Sequence, residues 1–323
     1  MVLEGFQSNK CTILSGVAQG SHLGPILFNI FINDLTTCFK YSTPYLYADD
    51  LFMRVVQSPD DSRYLQKDFN SVVQWCKING MELHSSKCHH IKFSRKTNVV
   101  ATQYSLQGEK LSEVKIIKDL GVILDSKLTF QSQIDGRIAK ATKMLSFILR
   151  NSKLFKHSKT KIVLYNSLVR SQLEYCSIIW RPHYATHSLR LERVQKRFLW
   201  YLSHQANINK SIFSYNDRLK YFNMITLGQR RDLLDIMFLY KLLRNKIDCP
   251  NLLDKINFRI PYRHPRKPIS LLVPPIKKTV FGANTVIPRL CKLYNKTCDS
   301  IDINADTLTS FKSSVINHII NQQ

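Results

Sequence analysis

Two adjacent carboxylates, Asp49 and Asp50, lie between the runs Tyr45-Leu46-Tyr47 and Leu51-Phe52-Met53-Arg54-Val55-Val56. Strand-forming residues on either side of Ala48-Asp49-Asp50 read as a β-hairpin, because Asp favours tight turns. The same feature constrains the chemistry. Two carboxylates side by side at a hairpin tip cannot both stay ionised unless something positive compensates them, and a divalent metal does so. Hard cations take oxygen ligands, and Mg²⁺ is commonly held by carboxylates together with substrate phosphates. In isolation an Asp-Asp turn is more often simply solvated, so the surrounding chain has to decide.

Upstream, residues 11–14 read as extended, Gly16 to Gly24 as a glycine-punctuated loop, and Pro25 opens an apolar helix to about Leu35, with proline in the first turn where it is favoured. Downstream, Asp60 and Asp61 occupy the cap of a helix carrying Tyr64, Leu65, Phe69, Val72, Val73 and Cys76 at close to helical spacing, which should cover one face of a sheet. After a break at Asn79-Gly80, Ile91 to Phe93 and Asp119-Leu120-Gly121-Val122-Ile123-Leu124 are strand candidates, the second ending in a turn at Asp125-Ser126-Lys127. Helices then dominate, over Ile134 to Arg150, Lys159 to Leu173 and Thr186 to Tyr201. Five prolines between Ile260 and Pro275 exclude helix and predict an extended basic linker, followed by a small helical tail from Val280 to Ile320.

Charge points to a class of partner. The chain carries 47 Lys and Arg against 23 Asp and Glu, a formal net charge of +24. Residues 1–110 hold 11 basic and 9 acidic side chains and residues 111–323 hold 36 and 14, so nearly all the excess lies in the second part. A polyanion is the implied partner there, a merely soluble basic protein being the alternative. The eight cysteines form no CxxC pair and read as free thiols. Cys88-His89-His90 is not read as a zinc site, since neighbours in a strand point to opposite faces and no second ligand pair follows at finger-like spacing. The sequence has no apolar run long enough to span a membrane and no signal-peptide pattern at residues 1–10. The expectation is a soluble intracellular chain without a membrane partner, in cytoplasm and nucleus.

The block Ser15-Gly16-Val17-Ala18-Gln19-Gly20-Ser21-His22-Leu23-Gly24-Pro25-Ile26-Leu27-Phe28-Asn29-Ile30-Phe31-Ile32-Asn33-Asp34-Leu35, followed after a short gap by Tyr47-Ala48-Asp49-Asp50, resembles motifs B and C of reverse transcriptases of non-LTR, jockey-like retrotransposons. Trp75 to Phe93, with Asn79-Gly80-Met81 and Lys87, resembles motif D, and Leu120-Gly121-Val122-Ile123-Leu124 the hairpin that positions the primer end. Leu173-Glu174-Tyr175-Cys176 through Trp180-Arg181-Pro182, and Leu191 to Phe198, are similar to the family's thumb and post-thumb helices.

The resemblance implies an RNA-directed DNA polymerase that joins dNTPs to a DNA primer on an RNA template, using Mg²⁺ with Mn²⁺ as the alternative ion. Asp49 and Asp50 become the catalytic metal ligands. Lys87 becomes a general acid for the departing pyrophosphate, with a solvated surface lysine as the alternative. Gly16, Gln19, Gly20, Ser21 and Tyr47 become nucleotide- and template-binding residues, for glycines let backbone approach a base closely and Gln19 and Ser21 offer hydrogen bonds. Leu120 and Gly121 become primer-positioning residues, and basic helix faces meet template–primer phosphates.

The implied fold is α/β: a partial polymerase palm over residues 1–127, with a small antiparallel sheet and helices (motifs B to E), a helical thumb over 128–205, and a basic helical C-terminal region over 206–323 with the proline-rich linker near 260–275. Such a partial sheet is expected to have an exposed edge. The chain departs from the pattern at Ala18, where proline is usual, and at His22, where a small aliphatic residue is common. The first of the family's three catalytic carboxylates, in motif A, lies well upstream of the glycine loop, and Glu4 is the only acid before Gly20. Fingers and endonuclease would also lie upstream. The expectation is a fragment from motif B onward that does not polymerise alone; the alternatives are a non-catalytic nucleic-acid-binding remnant and a translated pseudogene. Protein partners are unknown.

Overall fold

Leu65, Phe69, Val72 and Cys76 recur at helical spacing, and in the computed structural model they lie on one helix, Asp61–Ile78, whose apolar face forms the core of the first of two units, residues 1–117. The structure describes residues 2–3, 6–7, 16–17, 20–54, 61–96, 101–206, 213–259, 271–297, 301, 303 and 307–321. The first unit opens with a two-residue antiparallel pairing, β1 (Val2–Leu3) with β2 (Phe6–Gln7). Helix α1 (Gly24–Ile32) follows, started by Pro25 and by Ser21, whose Oγ accepts from the Gly24 N–H at 3.0 Å. A 3₁₀ segment (Asn33–Cys38) leads to the antiparallel hairpin β3 (Thr43–Tyr47) and β4 (Asp50–Arg54), and then to α2 (Asp61–Ile78). The remaining strands are short: β5 (His89–His90) pairs in parallel with β8 (Ser112–Glu113), and β6 (Ser105–Leu106) with β7 (Glu109–Lys110).

Ile32 and Leu35, from the end of α1 and the turn after it, are buried with Val72, Trp75 and Cys76 of α2, and Leu46 and Leu51 of the hairpin pack against them. A two-stranded hairpin is marginal in water without such backing. One face of α1 and its cap points away from this core: Leu23, Ile26, Leu27 and Ile30 are 48–68% exposed. The hairpin is tied to α2 by a buried carboxylate as well. Asp68, 2% exposed, accepts from the backbone N–H groups of Lys40, Tyr41 and Ser42 at 3.1, 3.0 and 2.7 Å and from Ser42 Oγ at 2.7 Å, fixing the chain just before β3.

The second unit, residues 118–323, begins within β9 (Ile116–Asp119), which pairs with β10 (Val122–Asp125) across a two-residue turn. Asp125 ends the hairpin by accepting from the N–H groups of Lys127, Thr129 and Phe130. Helix α3 (Gln131–Asn151) packs with α4 (Ser158–Leu164), a π-helical turn (Tyr165–Arg170), α5 (Ser171–Glu174), α6 (Ser177–Trp180) and α7 (Ala185–Gln205). Tyr165 stacks on Phe198 at 4.1 Å in the centre of that core. A second core surrounds α9 (Leu227–Leu243), which follows α8 (Tyr215–Tyr221), and draws on α10 (Pro250–Leu253), β12 (Leu272–Val273), α12 (Val286–Thr297) and α13 (Leu308–Asn321), while β11 (Asn257–Phe258) pairs with β12 and α11 (Val280–Ala283) precedes α12.

Buried charge joins these helices. Glu192 of α7 accepts from Tyr215 Oη and, at 3.1 Å, from the N–H of Leu227, where the positive end of the α9 dipole favours an anion. Asp235 of α9, with a side chain 1% exposed, accepts from Arg181 Nη1 at 2.6 Å and from Arg289 Nε at 2.9 Å.

The architecture is mixed, with small sheets among many helices, and differs from the sequence reading in four places. The strand expected at Ile91 to Phe93 lies one turn of pleat earlier, at His89–His90, where backbone partners exist on β8. Leu120-Gly121 is a turn and not strand interior. The segment expected to be linker through Pro275 contains β12, which pairs with β11; Leu272 is fully buried and its backbone is clamped by the Asn295 amide at 3.0 and 2.7 Å. Proline forbids helix there but tolerates a short edge pairing between Pro268 and Pro274. The expected tail is part of the core, since Leu290, Phe311 and Val315 are buried against α9. The expected extended segment 11–14 and the cap residue Asp60 lie outside the described residues.

Burial pushes the Asp68 carboxyl up, but the Ser42 hydroxyl and three backbone N–H groups outweigh it, leaving the pKa below the ordinary value. A depressed carboxylate adds stability that is complete above its unfolded pKa of about 3.9 and is lost as pH falls through the lower folded value. Asp68→Asn is expected to cost about 2 kcal/mol at neutral pH and to flatten the acid limb of the stability curve below pH ~4, followed by denaturant unfolding across pH. Asp235→Ala strips a buried carboxylate from two guanidinium groups and is expected to cost about 3–5 kcal/mol in the same measurement.

Candidate active site and nucleic-acid surface

Register decides what the hairpin presents. Tyr47 pairs with Asp50, Leu46 with Leu51 and Tyr45 with Phe52, so alternate pairs face opposite sides. Leu46 and Leu51 face the core. Tyr47 and Asp50 therefore share the outer face with Tyr45 and Phe52, whose ring centres are 6.3 Å apart. Tyr47 is 66% exposed, and Asp49 and Asp50 are exposed beside it. Ala48 takes φ 50°, a left-handed backbone uncommon for a residue with a Cβ, which makes a two-residue turn here. The tip thus offers two carboxylates next to an aromatic face that a base or sugar could lie on.

Of the other sequence-predicted residues, Gly16 and Gly20 are exposed with φ 87° and 83°, the conformation for which glycine is needed. Ser21 caps α1 through its Oγ. Gln19 lies outside the described residues. Lys87 is exposed at the end of a 3₁₀ turn (Ser85–Lys87). The glycine segment and the hairpin are joined through the shared core of α1, its following turn and α2. Leu120 and Gly121 belong to the second unit, at the tip of the β9–β10 hairpin, with Leu120 47% exposed.

The donor set at the tip suits one hard divalent ion with open positions: Asp49 and Asp50 supply carboxylate oxygens, and Mg²⁺ characteristically completes its octahedron with water and phosphate. Among the described residues no group of three or more Asp, Glu, His or Cys side chains is placed to hold a metal.

Asp68 escaped the sequence reading. Its signal was there: an aspartate at the helical position shared by Leu65 and Val72 sits on the buried face of α2, where an acid survives only if something satisfies it.

In the second unit part of the basic excess lies on outer helix faces. Lys140, Lys143 and Arg150 of α3 are exposed on one stripe with Phe147, and Arg193, Lys196 and Arg197 of α7 with Trp200. Cations spaced along a helix and interleaved with an aromatic ring suit phosphates and unstacked bases. Among the described residues no helix is long and apolar enough to cross a membrane.

The chain is similar to the RNA-directed DNA polymerase from mobile element jockey of Drosophila melanogaster, 27% identical over 190 residues that make up 54% of this chain and 20% of the relative. It is 28% identical to the jockey polymerase of Drosophila funebris over 62% of this chain and 24% of the relative. It is 24% identical to the probable RNA-directed DNA polymerase from transposon X-element of Drosophila melanogaster over 66% and 26%. The chain thus spans about a quarter of the length of these curated relatives. No solved structure matches it. Residues 2–124 match the family model for reverse transcriptase (RNA-dependent DNA polymerase), a stretch that takes in the glycine loop, the Asp49-Asp50 hairpin and the turn at Leu120-Gly121.

Proposed function

We propose that this chain is the part, from motif B onward, of the polymerase of a jockey-like non-LTR retrotransposon, and that it binds an RNA template paired with a DNA primer. The observation that carries the reading is the exposed Asp49-Asp50 pair at a turn between paired strands, on a face shared with Tyr45, Tyr47 and Phe52, inside the stretch that matches reverse transcriptases. Asp49 and Asp50 would hold Mg²⁺, which supplies charge neutralisation for a transferring phosphoryl group when bound. In this reading Tyr47 would meet a nucleotide sugar or base, Gly16, Gly20 and Ser21, with Gln19 of the same motif, would serve the template, and Lys87 would supply a proton to the leaving pyrophosphate. The residues around 128–205 serve as a thumb whose Lys and Arg follow the duplex phosphates, and residues 206–323 as a basic support behind it.

Among the described residues no third carboxylate joins Asp49 and Asp50 in a metal-holding group, and this chain by itself is proposed to bind template–primer without extending it. A purely binding role is the second reading, favoured by the basic, aromatic-bearing faces of α3 and α7.

Mg²⁺-dependent primer extension on an RNA template tests the first reading. The purified chain is expected to give none. A longer protein that adds the upstream polymerase segment is expected to extend, and Asp49→Ala in it to abolish extension. Equal extension by Asp49→Ala and its parent removes Asp49 from the site. Binding of the template–primer duplex is expected to weaken by about two orders of magnitude between 50 and 200 mM salt and to be insensitive to Asp49→Ala. Binding that ignores salt contradicts both readings.

A further inference from the structure

Three joints of the second unit leave a slot between them: the loop leading into α3 (Leu128 to Phe130), the link between α6 and α7 (Arg181 to Tyr184), and the turn between α11 and α12 (Asn284 and Thr285). The slot encloses about 160 Å³. An apolar cavity of about 150 Å³ holds one benzene ring, so this one has room for a single flat ring and little more. Ile134 and Trp180, each 1% exposed, close its inner end, and Tyr184, 59% exposed, stands at its mouth.

Bonds that involve no occupant hold the walls apart. Asp125 fixes the first by accepting from the N–H groups of Thr129 and Phe130 at 2.9 and 2.7 Å. Arg289 ties the other two, donating from Nη1 to the carbonyl of Asn284 at 3.0 Å and from Nη2 to that of Ile178 at 2.7 Å. A gap braced in this way closes poorly by relaxation, and its lining lacks contacts until something fills it.

The lining selects what fills it. Rings dominate: the centre of His183 lies 3.9 Å from that of Tyr184 and 6.4 Å from that of Phe281, and Tyr184 lies 6.2 Å from His187. The two guanidinium groups on the slot, Arg181 and Arg289, are both engaged by Asp235, so the slot suits a neutral ring better than a phosphate. One polar atom is left over. Nδ1 of His187 is buried without a hydrogen-bond partner among the described residues, a rare condition in a folded protein. A flat ring with a polar edge answers both features, and unstacked bases bind aromatic side chains in this manner. Charge narrows the source: residues 111–323 hold 36 basic and 14 acidic side chains, which suits a base carried on a polyanion better than an aromatic side chain carried on a protein.

We propose that this slot takes one unpaired base of a single-stranded nucleic acid, stacked on Tyr184 and hydrogen-bonded at its edge to His187 Nδ1. Every residue of the slot lies beyond the stretch 2–124 that matches reverse transcriptases, so the site is separate from the Asp49-Asp50 hairpin. It is closed to a base that remains paired in a duplex.

The test uses the full chain grown with 5-fluorotryptophan, in which the Trp180 fluorine resonance is assigned with Trp180→Phe. An eight-nucleotide single-stranded RNA is expected to shift that resonance, and a sugar–phosphate strand of the same length without bases to leave it in place. Tyr184→Ala is expected to weaken binding of the RNA about tenfold, as loss of one stacking partner does, with the salt dependence and the affinity for a blunt duplex unchanged. Thr285→Trp, which fills the slot from an exposed position, is expected to have the same effect, and His187→Phe, which keeps a ring and removes the edge partner, a several-fold one. Should either of these two lose its cooperative thermal transition, Tyr184→Ala decides alone. RNA that leaves Trp180 in place overturns the proposal, as does parent affinity in a folded Tyr184→Ala protein or a shift produced equally by the strand without bases. A shift produced by N-acetyltryptophanamide and not by RNA also overturns it, and makes the occupant a protein side chain. None of these outcomes bears on the reading of Asp49 and Asp50, which primer extension tests.

Discussion

The carboxylate of Asp68 gathers three successive backbone N–H groups and a hydroxyl from residues 40–42, and the hairpin that carries Asp49 and Asp50 starts at the next residue. Two strands in water do not hold their own shape. Every described sheet of this chain has only two strands, so each hairpin must take its rigidity from a neighbouring helix. The first unit does it with one anion on α2 and an apolar face beneath Leu46 and Leu51. The second does it with Arg137, Gln133 and Tyr175 around the β9–β10 turn. In both, side chains grip main-chain atoms, which leaves the side chains of the tip free to meet something else.

Net charge is a coarser guide than it first looks. Several of the second unit's arginines are not on its surface: Arg181 and Arg289 converge on Asp235, Arg230 forks onto Glu174 through two bonds of 2.7 and 2.8 Å, and Arg231 is 3% exposed. These cations join helices and contribute little to a field outside. Cations on the outer stripes of α3 and α7 are among those left open to solvent. Only the exposed part of the excess can act on a polyanion.

Much of this was legible in the residues. Helical spacing gave α2, α3 and α7 to within a few residues, and the Asp-Asp pair between apolar runs gave the β3–β4 hairpin, because local period and turn chemistry act over a handful of neighbours. What stayed hidden depends on distant partners. Leu272 joins a strand because Asn295, well downstream, clamps its backbone. Leu120 reads as strand interior until Tyr175 and Arg137 are seen to hold it as a turn. The π-helical turn at 165–170 leaves no mark on an otherwise regular helical pattern. At the candidate site the carboxylates and glycines were readable from type and order, whereas the side chain that places them, Asp68, looked like one more residue of a helix.

The bare face of α1, with Leu23, Ile26, Leu27 and Ile30 open to solvent, ties the chain's handling to its charge. In dilute buffer the net +24 keeps molecules apart and shields that face from its copies. At physiological ionic strength repulsion reaches only about 8 Å, and the apolar face then governs what two molecules do on meeting. Salt strong enough to release a basic chain from a polyanion therefore also uncovers attraction between such apolar faces.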